Sequence, residues 1–189
     1  MIQIKDRTYF FSPPYGRGQD GSADVLVVYY SRSGHTEAMA REIGRQFKAD
    51  LVRIQEDEFS LNFIGLLRTY WAALREKAVV IRPEKVDLSG YDLVFLGLPI
   101  WCFRPAPPLW TFVEHNDFTN TEVALFSTFN SRFKPEEVAK FQKLVENKGG
   151  RFKKHIWVTR GRFYNQKSGD ELLAEVWSLL EQKAEWRQP

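Results

Sequence analysis

Three hydroxyls and one glycine fall within six consecutive residues, Ser31-Arg32-Ser33-Gly34-His35-Thr36. The apolar run Val25 to Tyr30 stands directly before them. Directly after them apolar residues recur at helical spacing, at Met39, Ile43 and Phe47. A strand that ends at a helix start presents unpaired backbone N–H groups and the positive end of the helix dipole. Gly34 lets the backbone turn tightly against an anion. The hydroxyls of Ser31, Ser33 and Thr36 can donate to phosphate oxygens. The competing reading is a plain helix cap, but a cap needs one hydroxyl rather than three. No lysine follows in a G-x-x-x-x-G-K-[ST] pattern, so a nucleoside-triphosphatase loop is excluded. The lack of G-x-G-x-x-G disfavours a dinucleotide fold.

Two further stretches carry groups suited to a flat aromatic ligand. The first is Pro99-Ile100-Trp101-Cys102-Phe103-Arg104-Pro105, which follows the apolar segment Asp92 to Leu98. Its two prolines stiffen the chain, and Trp101 offers either a stacking surface or a core residue. The second is Ser127-Thr128-Phe129-Asn130-Ser131-Arg132. There Phe129 can stack on a ring or line its edge, and backbone amides can bond ring carbonyls. Cys102 is the single cysteine. With no resolving partner in the chain it reads as a small packing residue. His35 reads either as a contact of the anion loop or as a solvated side chain, and His115 and His155 as structural. No Ser/His/Asp, Cys/His or paired-carboxylate arrangement is recognisable.

These stretches need elements to hold them. Val25 to Tyr30 suits a central strand buried on both faces. Leu51 to Ile54 is a shorter strand whose Arg53 suits a sheet edge. Asp92 to Leu98, Glu122 to Ser127 and His155 to Thr159 are the third, fourth and fifth strands. Helical spacing appears at Leu109, Phe112 and Val113 behind Pro107 and Pro108. It returns at Val138, Phe141 and Val145, between Glu136-Glu137 in a first turn and Gly149-Gly150 at the end. Ser168 and Glu171 form a capping box before Leu172, Leu173, Val176, Leu179 and Leu180. Strands and helices alternate, which predicts an α/β fold, three-layer and doubly wound around a parallel sheet. Residues 1–23 are turn-rich and read as an N-terminal arm to a domain over 24–189. The segment Glu58 to Ile81 carries Phe59, Phe63, Ile64, Leu67, Tyr70, Trp71 and Leu74 at roughly helical spacing. It predicts a helix over the sheet, an apolar rim above the ligand, or a homodimer contact.

Composition narrows the class. The chain has 189 residues, enough for one domain, and 43% are hydrophobic. A formal charge of +3, with no long basic run, gives no sign of nucleic acid as a partner. One cysteine excludes an internal disulfide framework and any multi-cysteine metal site, and the three histidines are widely spaced. Charges interrupt MIQIKDRTYF where a secretory segment would be apolar, and no stretch approaches a membrane span. The expected location is therefore cytoplasmic.

At this point the chain resembles the flavodoxin family. Residues 31–36 match that family's phosphate loop, T/S-x-T/S-G-x-T, position by position. Gly97, Pro99 and Trp101 add G-x-P-x-W after the third strand. The resemblance extends over residues 24–183. It implies a five-stranded parallel sheet of order 2-1-3-4-5, with FMN held non-covalently beyond the carboxyl ends of the strands. Ser31, Arg32, Ser33, Gly34, His35 and Thr36 would then hold the phosphate. Pro99, Ile100, Trp101, Cys102, Phe103, Arg104, Ser127, Thr128, Phe129, Asn130 and Arg132 would flank the isoalloxazine ring. The chain departs from the family's acidic character, with a sequence pI near 8.9. Arg104 and Arg132 read either as groups that stabilise negative charge on reduced flavin or as surface arginines. The resemblance implies transfer of electrons through FMN to a redox partner protein or a small acceptor. The alternative is an FMN-dependent NAD(P)H oxidoreductase acting on a quinone-like acceptor. A flavin-independent binding module is the third reading.

Overall fold

The computed structural model describes residues 24–56, 79–160, 167–181 and 186. Its strands are β1 (Val25–Tyr30), β2 (Asp50–Ile54), β3 (Leu93–Trp101), β4 (Arg104–Pro105), β5 (Glu122–Phe129) and β6 (Arg151–Thr159). Its helices are α1 (His35–Phe47), α2 (Pro107–His115), α3 (Pro135–Asn147) and α4 (Gly169–Leu180). The sheet runs β2-β1-β3-β5-β6, with every neighbouring pair parallel. Set β4 aside and this is the expected order.

β1 shows why the sheet is central. All six of its residues are buried, and they alternate between two cores. Leu26, Val28 and Tyr30 join Leu109, Phe112, Val138 and Phe141 of α2 and α3. Val25, Val27 and Tyr29 join Met39, Ile43, Val176 and Leu180 of α1 and α4. A strand covered on both faces must be apolar at every position, which the sequence obeys. The helix ends follow their local chemistry. Pro135 opens α3 with Glu136 and Glu137 in its first turn, and Gly149 leaves it at a φ of +87°. Ser168 accepts from the Glu171 N–H at 3.2 Å, while Glu171 Oε2 accepts from the Ser168 N–H at 2.7 Å, completing the capping box.

Three strands are longer than their apolar runs. β3 continues through Pro99, Ile100 and Trp101, because its ladder with β5 reaches Pro99 and β4 then takes over antiparallel at Ile100 and Trp101. Residues 99–105, expected as a loop, are therefore a strand end and a hairpin. β5 continues to Phe129 alongside β6. β6 begins at Arg151 rather than His155; it is an edge strand, so its half-solvated residues carry charge instead of an apolar signal. The arm over 1–23 lies outside the described residues. So does the 58–81 segment, apart from residues 79–81. These three belong to no helix or strand, and Val79 and Ile81 are buried. No helix among the described residues is long and apolar enough to cross a membrane.

Candidate functional site

The start of α1 is uncapped by any side chain. Gly34 occupies the capping position with a left-handed φ of +87°, which glycine adopts without strain. The first helical bond runs from the Ala38 N–H to the Gly34 carbonyl at 2.9 Å. The N–H groups of residues 35–37 thus have no acceptor in the helix ladder. Ser31 does not cap the helix: its Oγ accepts from the Gly34 N–H at 3.1 Å and so shapes the turn instead. Ser33 Oγ and His35 Nδ1 are 2.9 Å apart. Thr36, buried, shares a 2.7 Å hydrogen bond with the Thr128 hydroxyl at the end of β5. That bond ties the first loop to the third.

Charge around this loop is balanced. Glu37, buried in the first turn of α1, would repel an anion if it stood alone. Arg41 reaches it at 2.8 Å and Arg53 at 3.3 Å, so its charge is offset. Burial holds the His35 imidazole down to about pKa 4, and the nearby Arg160 guanidinium adds to that. His35 is therefore neutral at pH 7.

The second group of residues forms a wall. Trp101 meets Tyr30 edge-on at 5.5 Å between centroids, while the Arg32 guanidinium lies 5.2 Å from its ring. Tyr30 donates to Glu56 Oε1 at 2.6 Å, and burial raises its phenol above the usual range. Cys102 and Phe103 are the two turn residues between Trp101 and Arg104, with φ of +49° and +71°. Two residues with positive φ are the requirement of a type I′ hairpin, normally met by Asn or Gly. Burial pushes the Cys102 thiol up while Arg104 pulls it down, and the net rise leaves it protonated at pH 7. Arg104 pairs with the buried Glu137 carboxylate at 3.4 Å. Arg132 is exposed and stacks 5.2 Å from the Phe103 ring.

The third group divides. Thr128 faces the anion loop. Ser127 is fully buried and bonds His155 Nε2 at 2.8 Å, on the side of the sheet that carries Phe133. Phe129 is buried and packs against Phe133 at 5.2 Å, so most of its ring is committed to the core. Asn130 is exposed. Lys134 donates its N–H to the Phe103 carbonyl at 2.9 Å, which joins the hairpin to the segment after β5. The structure thus brings together Ser31, Arg32, Ser33, Gly34, His35, Thr36, Trp101 and Thr128, with the 102–104 hairpin and Arg132 beside them. Sequence reasoning missed two residues here. Tyr30 was read as strand interior, and Arg160 carries no motif; its position just past the last strand was the available signal.

No protein-family model matches the chain. It is 26% identical to the flavodoxin of Haemophilus influenzae over 108 residues, which are 55% of this chain and 49% of that one. It is 31% identical to the NAD(P)H dehydrogenase (quinone) of Gluconacetobacter diazotrophicus over 93 residues, 47% of this chain and 44% of that one. The chain therefore spans about half the length of these two relatives. A Lactobacillus acidophilus flavoprotein solved in complex with FMN superimposes with a TM-score of 0.60 at 23% identity, over 70% of this chain and 91% of that one. In sequence the chain is similar to a flavodoxin, and its fold is flavodoxin-like.

Proposed function

We propose that this protein binds FMN non-covalently at the carboxyl ends of β1, β3 and β5 and transfers electrons through it. One observation carries the reading: the uncapped start of α1, with Gly34 in the left-handed region and the Ser31, Ser33 and Thr36 hydroxyls around it. That donor set suits a phosphate monoester, because free N–H groups and hydroxyls donate and the dipole favours negative charge. Trp101 and the 102–104 hairpin stand where a flat ring would follow. When bound, FMN would supply the redox chemistry. The chain's own residues would anchor the phosphate, shield the ring from water and set the charge around it.

The test is to titrate purified protein with FMN and follow the visible spectrum and flavin fluorescence. Saturation near one equivalent supports the reading, and no uptake overturns it. Of the two arginines near the wall, Arg104 is committed to Glu137, so we assign the tuning of flavin charge to Arg132. Arg132→Gln is expected to lower the two-electron midpoint potential, because a cation stabilises negative charge on the reduced ring.

The partner is proposed as a redox protein or a small acceptor, in the cytoplasm. A chain with one cysteine, and so no internal disulfide, suits that compartment. The likeness to an NAD(P)H dehydrogenase (quinone) favours a second reading, an oxidoreductase passing two electrons from a nicotinamide to a quinone. Anaerobic reductive titration separates the two. Two resolved one-electron steps favour the carrier; a single two-electron step, with turnover of NADH or NADPH and a quinone, favours the enzyme.

A further inference from the structure

Arg160 lies one residue past β6, beyond the loops that the family pattern marks. Its N–H donates to the Phe129 carbonyl at 2.8 Å, and its own carbonyl accepts from the Lys167 N–H at 2.8 Å. Both bonds fix its backbone on the carboxyl rim of the sheet, next to the end of β5. There Thr128 reaches across to Thr36 at the start of α1. The Arg160 guanidinium makes no ion pair among the described residues, and its Nε is buried with no hydrogen-bond partner. Of the neighbouring arginines, Arg53 pairs with Glu37 and Arg104 with Glu137, while Arg32 and Arg132 lie against the Trp101 and Phe103 rings. Burial lowers the His35 pKa, and the Arg160 charge lowers it further.

Arg160 is half-buried, and its Nε, the donor that is out of contact with water, carries a desolvation cost that an anion would relieve. We propose that Arg160 is the cationic anchor of the phosphate group held by residues 31–36, closing that loop from the far side of the sheet. This rests on the reading of that loop as a phosphate site. It extends the reading by giving the site a specific charge partner for a phosphate dianion. The N–H groups and hydroxyls of the loop position the phosphate, and Arg160 supplies the net charge that neutral donors cannot.

The test compares FMN with riboflavin, which lacks the phosphate, on the wild-type protein and on Arg160→Gln and Arg160→Lys. A charge-assisted contact predicts that Arg160→Gln weakens FMN roughly 10- to 100-fold while leaving riboflavin affinity unchanged. Arg160→Lys should recover part of the loss, and the salt dependence of FMN binding should flatten in Arg160→Gln. Equal losses for FMN and riboflavin would make Arg160 a structural residue only and overturn the proposal; so would unchanged FMN affinity. A second arm needs no flavin. Inorganic phosphate is titrated while the His35 ring is followed by NMR. In the wild type, bound phosphate should raise the His35 pKa, and Arg160→Gln should weaken that response. If the wild type takes up phosphate in this Arg160-dependent way but no FMN, the flavin reading fails and the anion anchor stands. If phosphate leaves His35 unmoved in the wild type, the anchor falls.

Discussion

His155 and Ser127 meet across β6 and β5, with 2.8 Å between Nε2 and Oγ, and the imidazole packs against the Phe133 and Trp157 rings. Burial in that aromatic setting lowers its pKa from 6.5 to about 4, and His35 is lowered to about 4 as well. Both groups are neutral in the folded state at pH 7. As pH falls through 6.5 the unfolded chain takes up protons that the folded chain refuses until about pH 4. Stability is therefore full above about pH 6.5 and declines towards pH 4, by roughly 1–3 kcal/mol for each histidine. Urea unfolding at pH 7.5, 6 and 4.5 measures it. His155→Phe should remove part of the slope even if it changes stability at neutral pH; an unchanged slope would contradict the account. Nothing in the sequence showed this pair. His155 could be read as structural from its strand, but its partner Ser127 lies in another strand and the Phe133 ring packed against it lies outside both.

Gly97 shows how an element constrains the site. It sits in β3 between Tyr29 of β1 and Phe126 of β5. A Cβ built there would lie 2.1 Å from the Phe126 ring, which is itself fully buried. The ring has nowhere to go, so Gly97→Ala should destabilise by about 1–3 kcal/mol or more, read as a lower thermal midpoint. The glycine of G-x-P-x-W is thus a packing residue, set four positions ahead of Trp101. The hairpin after it behaves differently. Cys102 holds a φ of +49° without being glycine. Cys102→Asn, a residue that tolerates this region, should raise stability by about 0.5–1 kcal/mol in the same measurement. No change, or a loss, would mean that the half-buried thiol contributes more than the backbone costs. The apolar run ending at Leu98 marked the third strand but not the hairpin. Positive φ at Cys102 and Phe103 goes against local preference and is imposed by pairing with β4.

At the scale of the molecule, a ligand that binds only the folded state stabilises all of it. Saturating FMN at about 100 times its dissociation constant should add roughly 2.7 kcal/mol and raise the melting midpoint by a few degrees. Riboflavin at the same concentration should do less, since it lacks the phosphate that we propose is held at the start of α1. Equal shifts for the two flavins would place the binding energy in the ring alone. The two-sided core makes the coupling possible: α1 is packed against β1 and β3 through Met39, Ile43 and Phe47, so anchoring its start reinforces that whole face.

Much of this protein is determined within a few residues along the chain. The buried strands, the inner faces of α1 to α3, the capping box at Ser168 and the chemistry of residues 31–36 are all local, because strand period, helix period and capping act over one to four residues. The alternation of elements implied a parallel sheet, and its strand order came from the resemblance carried by two short motifs. Only the tertiary structure decided what those pieces meet. Thr36 and Thr128 bond across 92 residues of sequence. Arg32 and Tyr30 close on Trp101, Arg104 is drawn to Glu137, and Arg160 approaches a loop that lies three strands away in the sheet. Such contacts depend on how crossovers stack helices on the sheet and on where neighbouring strands end. No periodicity encodes that, and the charge and exposure of each site residue are settled there.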